Sequence, residues 1–245
     1  MKNIALLSVD NTQWFQNKTL DELYVTNGER AAVCTVRVAQ IVKQAWWLLY
    51  HLFDNHPAWH VSFSANYIGK NKFDTITHEE IKNRTEEKNW LASTATFSVA
   101  KLQEYLLQKE GQTEYLRPIH CVTDTQWSTL TPPLNEIEFD RSIPKGNTPD
   151  GRDYSWFDTG ELEQQLTKDA IDTVIITWVA TDYCVGQTAL DAAAKGYKTY
   201  VVSDAIEGVA PETSEAMKNT CTAQWIIFIT TDELEQILLA SHINK

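Results

Sequence analysis

In "TDYCVGQTALDAAAKGY", residues 181 to 197, a cysteine stands where an apolar strand gives way to an alanine-rich helix. Free cysteine is among the most buried residue types and most are inert, so packing at a turn is a sufficient account of Cys184 taken alone. Its position supports a chemical one. With Thr181 or Asp182 as helix cap, Cys184 falls in the first turn, where unpaired N–H groups and the positive end of the dipole favour a thiolate near neutral pH. The same N–H groups, with the one at the preceding strand end, offer a hole for the oxyanion of a tetrahedral intermediate. Asp10 ends an apolar strand and Lys145 lies just past another. Either alone is readily a turn cap or a surface ion-pair partner. A carboxylate, an amine and a thiol at the C-terminal ends of three strands are harder to ascribe to packing.

A second constellation lies in "DNHPAWH", residues 54 to 60, and "PIHC", residues 118 to 121. Alternation along an extended segment points Asp54 and His56 to one side, and His120 can complete a three-ligand site with positions left for water. Such oxygen and nitrogen donors suit zinc, iron or manganese. His60 is a weaker candidate, either ligand, support for a ligand or substrate contact. For His51, His78 and His242, local packing or capping suffices.

The elements that must position these groups follow from the apolar pattern. "NIALLSV", residues 3 to 9, reads as a buried parallel strand ending at Asp10, the end where open α/β sheets place their sites. Asn27 and Gly28 start a helix whose Cys34, Val38, Ile41 and Ala45 follow helical spacing. "WWLLYHLF" reads as a second strand, "IEFDRSIPK" as a third, "DTVIITWVA" as a fourth. "KTYVVSDA" and "AQWIIFITT" give two more, the last leading into a helix with Thr230 and Glu233 spaced as a capping box. Residues 64 to 119 are polar and weakly periodic, with one amphipathic stretch, "SVAKLQEYLLQ", and read as a surface insertion containing a helix. The alternation predicts an α/β fold, a three-layer sandwich around a mostly parallel six-stranded sheet.

At 245 residues one domain spanning 1–245 is the expectation. The net charge of −12 disfavours nucleic acid and anionic membrane surfaces as partners, and a small-molecule ligand remains. "MKNIALLSV" is too short for a signal or membrane-spanning segment, and the four widely spaced cysteines form no paired framework, so a cytoplasmic protein with reduced thiols is expected. "VDNTQWF" lacks the glycines of a dinucleotide-binding turn.

Together "VDNTQWF", "DNHPAWHVSF", "PIHC", "PKGNTPDGRDYS" and "VATDYCVGQTALDAAAKGY" resemble the nicotinamidase branch of the isochorismatase-like cysteine hydrolases, whose sheet has a Rossmann-like topology. The resemblance runs in order from Asp10 to about Asp204. It implies an Asp10, Lys145 and Cys184 triad that hydrolyses a carboxamide, nicotinamide to nicotinate and ammonia, in pyridine nucleotide salvage. It implies a divalent metal, zinc foremost, on Asp54, His56 and His120, with His60 as a further ligand, and a cis peptide at Val179–Ala180 that turns the N–H groups of Ala180 and Cys184 to the oxyanion. Phe15 and Tyr154 match substrate-binding positions, and homo-oligomers occur in the family.

Two departures bear on substrate. Arg117 stands where the family has a tryptophan wall, and "TDTQWS" replaces a glycine-containing segment after the His-Cys pair. Arg117 can stack on a flat ring, bind a substrate carboxylate, or turn away while Tyr115, Tyr67 or Trp90 fills the slot. The second outcome points to an acidic amide or a carbamoyl or ureido compound. A catalytically silent metal-binding scaffold is the remaining alternative.

Overall fold

The computed structural model describes residues 3–16, 23–82, 91, 92, 95, 98–107, 113–125, 128–147 and 154–243. Along the chain run β1 (Ile4–Val9), α1 (Gly28–Gln44), β2 (Leu48–Asp54), β3 (Thr75–Ile76), α2 (His78–Ile81), α3 (Val99–Leu107), β4 (Glu114–Tyr115) and β5 (Arg141–Lys145). There follow α4 (Glu161–Lys168), β6 (Thr173–Val179), α5 (Gly186–Ala194), β7 (Lys198–Glu207), α6 (Pro211–Ala223), β8 (Ile227–Ile229) and α7 (Thr231–Ile243). Contacts divide the chain into two compact units. One holds residues 1–53, 129–145 and 153–245, the other 54–128 and 146–152.

The first unit carries the six-stranded sheet, in the order β5-β2-β1-β6-β7-β8. β1 pairs in parallel with β2 and β6, and β7 with β6 and β8. Strand alternation assigns the faces. Ala5, Leu7 and Val9 of β1, with Val174 and Ile176 of β6, pack with Leu162 and Leu166 of α4, Ala189 and Ala192 of α5 and Cys221 of α6. Leu6 and Ile175 point the other way, against Val38, Ile41 and Val42 of α1 and Leu234 and Leu238 of α7. A sheet buried on both faces explains why its strands read as near-continuous apolar runs. This is the expected three-layer α/β sandwich.

Two local readings need adjustment and a third holds. β2 begins at Leu48, because Trp46 has φ +61 and is 91% exposed, outside the strand. α1 starts at Gly28 as expected, but Asn27 precedes it in the left-handed region with no hydrogen bond from its side chain to the helix. α7 is capped as its spacing predicts, Thr230 Oγ1 accepting the Glu233 N–H at 3.2 Å and Glu233 accepting the Thr230 N–H at 2.7 Å.

The second unit includes the whole of residues 64–119 and has a core of its own. Val61, Tyr67, Ile76, Leu91, Leu102, Tyr105 and Leu116 pack together, and β3 pairs antiparallel with β4. The amphipathic stretch forms α3, burying Val99, Leu102, Tyr105 and Leu106.

Candidate active site and metal centre

The first group is assembled within the sheet-bearing unit. Asp10 follows β1, is 1% exposed and has φ +59; its N–H donates to the Leu52 carbonyl at 2.7 Å, so the turn leaving β1 is tied to β2. Lys145 ends β5 with no exposed surface. A buried ammonium is costly unless something compensates it. Here Nζ lies 4.2 Å from the centre of the Trp156 ring and 3.5 Å from the Cys184 sulfur, to which it donates. That short contact brings two of the three expected reactive groups together, and an ammonium there stabilises a thiolate when one forms.

Cys184 sits in the turn Thr181–Val185 that carries β6 into α5 and is 8% exposed. β6 departs from regular pairing just before it. Its register with β7 shifts between Ile176 and Trp178, and Trp178 has φ +85 while its indole N–H donates to the Gly28 carbonyl at 3.2 Å. The Val179–Ala180 peptide is cis. The capping expectation is corrected here: neither Thr181 nor Asp182 caps the helix after Cys184. Ala180 precedes the turn without a capping side chain, Tyr183 interrupts the helix at φ −130 and ψ −106, and α5 starts only at Gly186. Asp182 instead accepts N–H groups from Val209 and Ala210, ahead of α6. The spacing of Asp182 to a helix start was legible, but which helix it would serve was not.

The second group lies in the smaller unit. Asp54, His56 and His120 are all buried and offer ligand atoms within 4.8 Å of one another. Asp54 Oδ2 is 3.5 Å from His56 Nε2 and 3.7 Å from His120 Nε2. Donor atoms around a tetrahedral ion with bonds of ~2.0–2.1 Å stand about 3.3 Å apart, so the spacing fits a metal better than direct hydrogen bonds. Two chain segments are laced together to make it: His56 N–H donates to Cys121 O at 3.0 Å, Thr123 N–H to His56 O at 2.9 Å, and Arg117 N–H to Ser62 O at 2.7 Å.

Each imidazole is oriented through its other nitrogen. His56 Nδ1 lies 3.0 Å from Gly146 O and His120 Nδ1 2.8 Å from Pro118 O; as donors there, both leave Nε2 for a ligand role. Burial above all, then the neighbouring His56 and Arg117, holds the His120 pKa well below its ordinary value, in the neutral form that ligates. His60 stays outside the close set of three. Its Nδ1 meets Ser62 Oγ at 2.8 Å and its ring centre is 4.4 Å from that of His56.

The substrate-binding candidates are more dispersed in what they show. Phe15 lies buried in a short turn of helix at Gln13–Gln16, and Tyr154 is half-buried. Arg117 is largely buried, with Nη2 3.9 Å from Glu114 Oε1, and Tyr105 donates to the same carboxylate at 3.1 Å. Tyr67 packs into the small core with its hydroxyl on Val61 O, and Tyr115 is exposed. Trp90 and, within "TDTQWS", residues 126 and 127 lie outside the described residues.

Sequence reasoning missed Gly146 and Glu114. A Cβ on Gly146 would fall 2.2 Å from His56 Nδ1, and its φ is +64, so glycine alone fits. Its only signal was a glycine directly after Lys145. Glu114 could have been found by alternation, since Glu114, Leu116, Pro118 and His120 are all buried in turn.

An isochorismatase domain model matches residues 114–233. A nicotinamidase of Acinetobacter baylyi is 32% identical over 163 residues; the match covers 64% of this chain and 61% of that protein. The structure of an Acinetobacter baumanii nicotinamidase/pyrazinamidase superposes with TM-score 0.73 at 26% identity, covering 96% of this chain and 99% of that one. That of a Pyrococcus horikoshii pyrazinamidase in complex with zinc superposes with TM-score 0.68 at 24% identity, covering 93% and 99%, a likeness of fold.

Proposed function

We propose that this chain is an isochorismatase-like hydrolase of the nicotinamidase branch and that it hydrolyses the carboxamide of nicotinamide to nicotinate and ammonia, a reading supported by the domain match and the nicotinamidase relatives. The observation that carries the reading is the buried contact of Lys145 Nζ with Cys184 Sγ.

Asp10 takes the thiol proton and the Cys184 thiolate attacks the amide carbonyl. The N–H groups of Ala180 and Cys184 receive the negative oxygen, and Lys145 balances charge beside the sulfur. Ammonia departs with the proton returned by Asp10, leaving a thioester, and Asp10 then deprotonates the water that cleaves it. Asp54, His56 and His120 would hold a divalent metal, zinc by their oxygen and nitrogen donor set, with His60 as a neighbour. When bound, such a metal would supply a Lewis acid at that site. Phe15 and Tyr154 are the proposed ring contacts. The product suits pyridine nucleotide salvage in the cytoplasm, and no helix among the described residues is long and apolar enough to cross a membrane.

Arg117 was the feature favouring an acidic or carbamoyl amide. Glu114 sits beside its guanidinium, so the charge is already countered, and this supports a neutral ring substrate.

The test is ammonia release from nicotinamide by wild type and Cys184→Ala, with metal content recorded on both. Cysteine-dependent release is expected, with roughly 10³-fold or greater loss in the variant. Full turnover by Cys184→Ala would refute the mechanism. Silence of metal-loaded wild type on nicotinamide, with activity on a carbamoyl or ureido panel, would move the substrate.

A further inference from the structure

We propose that Asp182 is a positioning residue for Cys184: its carboxylate ties the nucleophile turn to the start of α6 and so sets where the thiol stands beside Lys145. The inference rests on the reading of Cys184 as nucleophile.

Asp182 Oδ1 accepts the Val209 N–H at 2.9 Å, and Oδ2 accepts the Ala210 N–H at 3.2 Å and the Thr213 hydroxyl at 2.6 Å. Ala210 precedes α6 and has no side-chain oxygen, and Asp182, 28 residues away, holds the two N–H groups just ahead of that helix and the Thr213 hydroxyl in its first turn. An anion at a helix N-terminus is favourable there, and three donors fix its orientation.

The next residue shows why the turn needs such an anchor. Tyr183, at φ −130 and ψ −106, falls outside the regular regions, and both the Tyr183 and Val185 N–H groups return to the one Ala180 carbonyl at 3.1 Å. Asp182 supplies a restraint before that kink. After it, Gly186 lies against the same helix: a Cβ there would fall 2.3 Å from Met217 Cγ, and Cys221 Sγ is 3.9 Å from Gly186 O. Gly208, leading into α6, is equally closed, with Ser214 Oγ 1.8 Å from an added Cβ. Thus α6 holds the turn on both sides of Cys184.

A displacement of about 1 Å in a reacting group is enough to cost about 10²-fold in rate. Asp182→Ala is therefore expected to lower kcat for nicotinamide by about 10²-fold, with KM little changed and metal content equal to wild type. Thr213→Val, which removes one of three donors, should lower kcat by several-fold, and Asp182→Asn should fall between. The rate of Cys184 alkylation by iodoacetamide, assigned by mass spectrometry, should slow in the same order because the sulfur loses its place beside Lys145. This last readout needs no substrate. Slower alkylation in Asp182→Ala would support the inference even if wild type left nicotinamide intact, in which case only the substrate reading fails. Unchanged kcat and alkylation in an active wild-type background would overturn it, as would a kcat loss equal to the loss of folded protein. If Asp182→Ala does not fold, Thr213→Val decides: unchanged or faster alkylation overturns the inference, and slowed alkylation with an unchanged melting temperature supports it.

Discussion

Gly146 shows how little room one ligand has. Its carbonyl receives His56 Nδ1, and its own α-carbon lies so close to the ring that any side chain would displace it. Gly146→Ala is therefore expected to weaken metal binding by roughly 10- to 100-fold, the usual cost of losing a partner that orients a ligand, read as metal retained after dialysis against a chelator. Retention equal to wild type would show that His56 is not a ligand. Asp54, His56 and His120 were visible as residue types on an extended pattern, and their proximity is what folding adds. Arg117 was visible too, but its partner was not: Glu114 meets it because alternate side chains of this segment are buried.

Among the elements, strands announced themselves most clearly. Period-two alternation sends Leu7 and Leu6 to opposite faces, each against helices, so the central strands had to be apolar on both sides. Helix ends were less readable. Thr230 with Glu233 worked because both partners lie within one turn, and Thr230→Ala should cost about 1 kcal/mol. In a chain of this size that lowers the melting temperature by about 2–4 °C, measurable by calorimetry; no shift would mean the box contributes nothing. Asp182 misled for the complementary reason. Its side chain could reach its own helix or a distant one, and the kink at Tyr183 turns it to α6.

Across the whole molecule, buried titratable groups set an acid limit. His51 is packed against Phe53, ring centres 4.6 Å apart, and Phe139, and burial holds its pKa at about 4 rather than 6.5. The unfolded chain thus takes up that proton first, so stability is full above about pH 6.5 and declines as pH falls towards 4. Asp169 adds a second window. Burial raises its pKa, but hydrogen bonds from Arg141, Tyr50 and Gln165 outweigh burial and hold it at about 2, below the ordinary 3.8. That contribution is present above about pH 4 and lost as pH falls through 2. Melting temperature against pH should show both declines, and His51→Phe should flatten the upper one; an unchanged slope would assign it to other groups.

What the sequence determined by itself was the α/β layering, the strand ends that carry Asp10, Lys145 and Cys184, and the residue types of a metal site. These are legible because apolar periodicity and strand-to-helix boundaries are local properties. Only the tertiary structure decided the contact of Lys145 with Cys184, the closeness of Asp54, His56 and His120, the Glu114 counter-charge on Arg117 and the hold of α6 on the nucleophile turn. Apart from Glu114 and Arg117, three positions apart, these join residues distant in the chain, Lys145 and Cys184 being 39 positions apart and Asp182 and Ala210 28. No local preference specifies such pairs. They form because the packed sheet and the small core bring those segments together, and buried polar groups are stable only with the partners found there.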